Sequence, residues 1–336
     1  MSTSGTFSFT VTLSDIVREA LLNVGAIGEA ETPTAQEFTD CQRKLNMLVK
    51  QWMGKLDFAP GLKMWTRQRG ALFLGNTKHQ YQLGPSGDNW AASVTGGSVG
   101  QTHNRTTLTA SANINATSLT VSSITNINNG DYIGIQVGSD IYWTTVNGAP
   151  SGNTVTIAVG LSGAANSGAY VWNYTTKQQR PLNIETCLLR DIYANDTPMN
   201  TLTLQDYEAL PTKVMTTYQS DPSAFYYESQ IGTSTTGSGQ FYIDVGGAQD
   251  VTKHLYMVFL RPVMDMNNPG DNPEYPQQWY RALCWGLSRE ICGMFDAPWT
   301  EDMDLNYRES VAMAREGDSD TTSMYFQRDS QSPYEP

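Results

Sequence analysis

The clearest structural signal in this chain is TPTAQEFTDCQRKLNMLVKQWMG, residues 32–54. Its apolar side chains recur at spacings of three and four, at Phe38, Cys41, Leu45, Leu48 and Trp52. This spacing predicts an α-helix over residues 33–54 with one apolar stripe. Thr32 is the expected N-cap, Pro33 suits the first helical position, and Gly54 suits the stop. A single amphipathic helix is marginal in water, so other helices must cover this stripe.

Three further amphipathic helices are predicted, one before this stretch and two near the C-terminus. Residues 13–24 follow a capping signal, with Thr12 as N-cap and Asp15 three residues later. Residues 276–295 repeat large apolar side chains every four positions: Trp279, Leu283, Leu287, Ile291 and Phe295. Residues 300–314 place Met303, Tyr307 and Val311 on one face. Together the four helices predict a bundle built from both chain ends.

Gly286 and Gly293 lie inside the third of these helical patterns. A glycine in a helix interior costs about 1 kcal/mol relative to alanine. We therefore expect another helix to approach closely at both positions.

The middle of the chain is β-rich, and its composition changes abruptly at residue 91. The only charged residues between positions 91 and 174 are Arg105, Asp131 and Asp140. Six short strands separated by turn residues predict an inserted all-β module there, either a sandwich or a barrel. β-type sequence continues on both sides of it, and we expect the pieces before residue 90 to pair with those after residue 174. The α+β organisation expected is an arm (1–11), a helical bundle (12–60 and 274–316), an outer β-rich domain (61–90 and 175–273), the inserted module (91–174) and a tail (317–336).

Composition limits the classes of partner. The 21 Lys and Arg residues against 33 Asp and Glu residues give a net charge of -12. Non-specific nucleic-acid binding depends on basic side chains, so this chain is expected to bind DNA poorly. No apolar run approaches 18 residues, and the first ten residues lack the pattern of a signal peptide, so we expect neither membrane insertion nor export. The four cysteines have no CxxC spacing, and free thiols are expected.

No catalytic, cofactor-binding or metal-binding site is predicted. His79, His103 and His254 are far apart in the sequence and are expected to be surface or packing residues. Residues 265–276 begin like a calcium loop, but proline occupies positions five and twelve, so a polar turn is expected. The alternating aromatics of residues 223–259 fit half-buried strands, with a sugar-binding platform as the alternative. In the tail, Tyr325, Phe326, Arg328 and Tyr334 are candidate anchors for a partner, because aromatic residues and arginine dominate interface energetics.

Several sequence segments, taken in their order along the chain, resemble segments of the head-to-tail adaptor proteins of short-tailed bacteriophages. They cover most of residues 12–90 and 174–316, whereas residues 91–174 depart from the compact adaptors. The segments are LSDIVREALLNVGAIGEAETPTAQEFTDCQRKLNMLVKQW (13–52), YQLGP (81–85), RPLNIETCLLRD (180–191), DTPMNTLTLQDYEALPTK (196–213), DPSAFYYE (221–228) and LRPVMDMNNPGDNPEYPQQWYRALCWGLSREICGMF (260–295).

The resemblance implies a non-enzymatic virion protein at the head–tail junction, assembled in the cytoplasm of the bacterial host. A ring of twelve copies would sit beneath the portal protein, with the helices around the DNA channel and the C-terminal tail against the portal. The outer β region would face the tail nozzle or fibres. Double-stranded DNA would pass without sequence recognition. The alternatives are a fibre- or spike-type protein that binds a receptor or docks fibres through residues 91–174, and a virion-associated cell-wall hydrolase.

Overall fold

The computed structural model of the chain describes residues 8–53, 64–229 and 238–316. Within these ranges it is a mixed α and β protein, with β-structure concentrated in the middle. The helices are α1 (Leu13–Asn23), α2 (Ala35–Trp52), α3 (Leu204–Glu208), α4 (Tyr280–Ile291) and α5 (Glu301–Glu316). The strands are β1 (Arg67–Phe73), β2 (Gln80–Leu83), β3 (Trp90–Ser93), β4 (Asn104–Thr107), β5 (Ser118–Thr120), β6 (Tyr132–Val137), β7 (Asp140–Thr145), β8 (Thr154–Thr156), β9 (Tyr170–Tyr174), β10 (Thr176–Lys177), β11 (Asn183–Arg190), β12 (Asp196–Pro198), β13 (Asn200–Thr201), β14 (Gln219–Ser220), β15 (Ala224–Glu228), β16 (Gly239–Ile243), β17 (Gly247–Ala248) and β18 (His254–Leu260).

The chain divides into two compact units. Among the described residues, the first comprises 8–53, 64–65 and 263–316, and the second comprises 66–229 and 238–262. Residues 263–273, expected in the outer β-rich domain, fall in the first unit with the helices. The finer division of residues 66–262 stays a prediction.

In the first unit, α4 packs against α1, α2 and α5. Ten residues were predicted for the core of these helices, and eight of them are fully or almost fully buried in it. The other two, Phe38 and Phe295, are partly buried at its edge. Gly286 confirms one expected close approach, because a Cβ there would lie 2.8 Å from Leu48 Cδ2 and 3.0 Å from the Trp52 ring. The expectation for Gly293 was wrong. It follows the end of α4 in a 3₁₀ turn, and a Cβ there would have no atom of the described residues within 4 Å.

Both N-terminal helices begin with reciprocal caps, but α2 starts two residues later than expected. The Thr12 hydroxyl accepts from the Asp15 N–H, and the Asp15 carboxylate accepts from the Thr12 N–H, as predicted. In α2 the same pair of bonds joins Thr34 and Glu37, so Thr32 is not the N-cap. The reason is local: a capping box needs an acidic or amide side chain three residues after the cap, and the residue in that position after Thr32 is Ala35. The expected stop at Gly54 lies outside the described residues.

The second unit is built mainly from antiparallel strand pairs, although β13 pairs with β15 and β14 with β17 in parallel. A six-stranded sheet has the order β10-β3-β1-β18-β11-β12, and a four-stranded sheet has the order β13-β15-β16-β2. Leu72 and Phe259 of the first sheet share one core with Tyr81 and Phe241 of the second. The expected long-range pairing is confirmed, since β1 pairs with β18 and β2 with β16.

Residues 104–174 contain all six of the strands predicted there. They form a four-stranded sheet, β4-β9-β6-β7, and a pair, β5-β8, and no strand from elsewhere in the described ranges joins them. Their own core includes Ile133, Ile135 and Val155, all fully buried. A second cluster packs Trp172 and Tyr174 of this segment against Phe73 of the six-stranded sheet. The chain enters and leaves the segment side by side, because β3 pairs with β10.

Candidate interaction surfaces

A groove on the first unit lies between the exposed side of α2 and the segment 263–267. Its volume is about 640 Å³. Side chains of α2 hold the segment's backbone in place: Gln42 Nε2 donates to the carbonyls of Met266 and Asn267 at 3.0 Å each. Asn46 donates to the Met266 carbonyl at 2.9 Å and accepts from the Met266 N–H at 3.1 Å. These paired bonds make the groove a preformed feature of the helical unit.

Lys50 adds a third side chain of α2 that binds the segment 263–267. Its Nζ donates to the Val263 carbonyl at 2.5 Å and lies 2.7 Å from Asp265 Oδ1. The opposite side chains of the groove come from one stripe of α2, at Thr39, Arg43 and Met47. Met47 is 60% exposed. An exposed methionine above a preformed groove is typical of a contact surface for a partner.

A second exposed apolar surface runs along α5. Its inner side packs on α4 through Ala314, Tyr307 and Val311. On the outer side, Leu305 is 56% exposed and Met313 is 65% exposed. Acidic residues alternate with them along the helix. We call this stripe, Asp302, Leu305, Glu309 and Met313, the outer face of α5.

The predicted polar turn at residues 265–276 is confirmed. One oxygen of the Asp271 carboxylate accepts from the N–H groups of Asn267 and Asn268, at 2.8 Å each. These backbone bonds lower the pKa of Asp271. The carbonyls of the same loop receive the first N–H groups of α1, with Leu13 donating to Asp271 and Ser14 to Pro269. The loop therefore ties the start of α1 to the approach to α4.

Two of the three histidines, distant in the sequence, are in contact in the second unit. The rings of His103 and His254 lie 4.7 Å apart and nearly perpendicular, and both rings pack on Phe73. His254 is buried, and its Nε2 has no hydrogen-bond partner among the described residues. Burial, together with the charges of Arg190 and Arg105, lowers the pKa of His254 to about 4. The sequence predicts that each histidine is a surface or packing residue. His103 and His254 are both packing residues, and they lie together in one cluster.

The four cysteines are free thiols, as predicted. Burial raises the pKa of Cys41 to about 11 and that of Cys284 to about 12. Thiols with raised pKa values are poor nucleophiles at neutral pH, which agrees with packing roles for both.

Tyr325, Phe326, Arg328 and Tyr334, the predicted portal anchors, lie outside the described residues. In the ranges 8–53, 64–229 and 238–316, no group of three or more His, Cys, Asp or Glu side chains is arranged to hold a metal ion. Over the same ranges, each helix is too short or too polar to cross a membrane.

The sequence was also compared with known proteins. Neither a scan against protein-family models nor a search of curated proteins found a match.

Proposed function

We propose that this protein is a structural subunit of a bacteriophage head–tail junction, where copies form a ring between the portal and the tail. The observation that carries the proposal is that the helical unit exposes apolar side chains on two unlike surfaces, Met47 at the α2 groove and Leu305 and Met313 on the outer face of α5. A ring is built from heterologous contacts, in which one surface of each copy meets a different surface of the next. Two unlike surfaces on one unit meet that requirement.

The charges of the two surfaces also favour their contact. Arg43 and Lys50 of α2 line the groove, whereas Asp302 and Glu309 lie beside Leu305 and Met313 on α5. Arg43 and Lys50 already pair with Asp40 and Asp265, so the charge contrast is modest. Apolar burial of Met47 against Leu305 and Met313 would therefore supply most of the affinity, and the charges would set the orientation.

The proposed ring would form on the portal and let DNA pass through its centre. A net charge of -12 suits a channel through which DNA slides, because acidic walls repel phosphate. The 317–336 tail would contact the portal through its aromatic anchors, and the β-rich unit would contact the nozzle or fibres. We propose these partners because the sequence resembles the head-to-tail adaptor proteins of short-tailed bacteriophages.

The contact between copies can be tested with two single variants, Met47→Glu and Met313→Glu. Each should block ring formation on purified portal protein, because each spoils one of the two surfaces. Mixed together, they should give dimers and no larger species, since one intact groove can still meet one intact α5 face. Native mass spectrometry measures the species. Val99→Glu, which changes a fully exposed apolar residue of the second unit, is the matched control and should assemble normally.

Two results would contradict the proposal. One is ring formation by Met47→Glu or Met313→Glu at the wild-type concentration. The other is electron microscopy of virions that shows no ring of this chain at the head–tail junction. A third result concerns only the pairing of the two surfaces. If the wild type forms rings but the mixture of the two variants forms no dimers, the groove does not pair with the α5 face, while the ring itself stays supported.

A second candidate function is binding of a receptor or a fibre through residues 91–174. The observation in its favour is a pair of exposed apolar side chains on neighbouring loops, Ile114 at 59% and Val159 at 62%. The loops are joined by the bond from Asn115 N–H to the Leu161 carbonyl. In this case Ile114→Asp with Val159→Asp should abolish host adsorption or fibre attachment while rings still form. Normal infection by this variant would exclude the candidate.

A further inference from the structure

The solvent-facing side of the sheet β13-β15-β16-β2 carries a group of flat polar side chains. Strand alternation buries Phe225, Phe241 and Tyr81 on the inner side. On the outer side, register places Tyr226 opposite Tyr242, Tyr242 opposite Gln80, Glu228 opposite Gln240, and Gln240 opposite Gln82. All six outer side chains are exposed or partly exposed. We call this set the planar face: Gln80, Gln82, Tyr226, Glu228, Gln240 and Tyr242.

The planar face is held in one conformation. Gln80 Nε2 donates to Gln240 Oε1 at 2.9 Å and to the Tyr242 hydroxyl at 3.2 Å. The Tyr226 and Tyr242 rings are stacked with centroids 5.8 Å apart. Buried Tyr207 of α3 packs on both, at 5.7 and 5.2 Å. Tyr207 therefore fixes the two rings, while the amide side chains beside them keep free donors and acceptors.

A groove of about 420 Å³ continues from this face at the edge strand β2. It is lined by Gln80 and Gln82, which belong to both features, and by Lys78, Ser86, Gly87 and Asp88. Lys78 and Asp88 form an ion pair across it, so their charges cancel. The Asp88 carboxylate also accepts from the Gln82 N–H at 2.7 Å, which fixes the groove wall to the strand.

The side chains of the planar face and of the adjoining groove favour one class of ligand over others. Amides, hydroxyls and an internal ion pair offer many hydrogen bonds with almost no net charge, which suits a neutral polyol. The weakly acidic surface disfavours phosphate polymers. It is also too polar for an apolar protein partner, whose binding needs a desolvated apolar centre. Tyrosine rings offer an apolar surface and a polar hydroxyl, which suits the C–H and O–H groups of a sugar ring.

We infer that the planar face and the adjoining groove bind a neutral oligosaccharide. Sugar hydroxyls would bond the amides of Gln80, Gln82 and Gln240, and one sugar ring would pack beside Tyr226 and Tyr242. The inference is independent of the proposed ring, because all of its residues lie in the second unit.

The test uses the full-length chain and three probes, maltohexaose, cellohexaose and chitohexaose. Saturation-transfer NMR and calorimetry should detect at least one of them with a dissociation constant of about 1 mM or tighter, a free energy of about -4 kcal/mol. Gln82→Ala should weaken that binding about tenfold, the loss expected for one or two hydrogen bonds. Gln82 is exposed, so the variant should fold, and circular dichroism checks this. Gln51→Ala, an exposed glutamine of α2, is the matched control and should bind as the wild type does.

Tyr242→Phe separates the ring from the hydroxyl, since it keeps the stacking and removes the bond to Gln80. It should weaken binding less than Gln82→Ala does. The inference is overturned if none of the three sugars binds at about 10 mM. It is equally overturned if a sugar binds and Gln80→Ala with Gln82→Ala leaves its affinity unchanged.

Discussion

At the scale of single residues, the His103–His254 cluster is the feature most sensitive to conditions. His254 is almost fully buried, and within the part of the chain that the structure describes its Nε2 has no hydrogen-bond partner. The groups that face it are the His103 ring, the aromatic ring of Phe73 and the cations Arg105 and Arg190. None of these groups carries a negative charge, and burial with the two nearby cations disfavours the imidazolium, so the native state keeps His254 neutral.

This arrangement predicts loss of stability in mild acid. The pKa of His254 is about 4 in the folded state, against about 6.5 for an ordinary histidine. Below pH 6.5 the unfolded chain binds this proton and the native state does not, so the free energy of unfolding falls until pH 4. The contribution lost between pH 7.5 and pH 5 is about 2 kcal/mol. Urea titrations of His254→Phe should show a pH dependence shallower than the wild type by about that amount.

His79→Phe is the control for this measurement. His79 is only partly exposed, and burial lowers its pKa to a smaller degree, so its removal should change the pH dependence less. Equal pH dependence in the wild type and His254→Phe would show that the histidine cluster is not the acid-sensitive group. Carboxylates titrate in all three proteins and cancel in the comparison.

At the scale of elements, α4 is the helix that organises the first unit, because α1, α2 and α5 all pack against it. Ser288 of α4 illustrates how closely α1 approaches: it is fully buried, and its hydroxyl lies 3.3 Å from the Ala20 carbonyl. Gly286 marks the equivalent approach of α2, where Leu48 and Trp52 occupy the space of a side chain. Trp52 and Trp279 then complete the contact with ring centroids 5.7 Å apart.

Gly286→Val should therefore destabilise the helical unit. The added atoms would overlap Leu48 and the rigid indole of Trp52, and such overpacking typically costs roughly 1–3 kcal/mol. Urea unfolding followed by circular dichroism at 222 nm measures the change. Gly293→Val is the matched control, since a Cβ there meets no atom of the described residues within 4 Å, and it should shift stability by less than about 0.5 kcal/mol. Equal effects of the two substitutions would show that α2 does not pack closely at Gly286.

At the scale of the whole molecule, the chain crosses between its two units at only two places, 65/66 and 262/263. Within the second unit these ends meet, because the Arg261 N–H donates to the Thr66 carbonyl at 3.1 Å. A segment whose ends are adjacent can be removed as a unit, and here neither boundary cuts an α-helix or a β-strand. The first unit has the opposite property, since its core needs helices from both ends of the chain.

Residues 66–262 should accordingly fold when expressed alone. The expected result is a β-type circular dichroism spectrum and one cooperative thermal transition. Residues 8–53 alone should show no such transition, because α1 and α2 would lack α4, which covers their apolar stripes. A non-cooperative transition for residues 66–262 would mean that the second unit depends on the first.

Much of this architecture follows from local sequence. Thr12 with Asp15, the four-residue repeat from Trp279 to Ile291, and the alternation in β2 and β16 each specify an element through side chains close together in the chain. The start of α2 was missed, although Thr34 and Glu37 carry the signal, because the proline at position 33 suggested an earlier start. Element type and position therefore depend on periodicity and capping, which act over a few residues.

Only the tertiary structure decides which distant side chains meet. β1 and β2 are adjacent in sequence yet lie in different sheets. The contact between His103 and His254, the groove between α2 and residues 263–267, and the register that joins Tyr226, Tyr242 and Gln80 all depend on long-range pairing. Periodicity places a residue on one face of its helix or strand. It does not determine which other element packs against that face, because this depends on the packing of the whole core. The sequence by itself indicated the type and approximate position of the four long helices and of most strands, and the tertiary structure alone brought the candidate surfaces together.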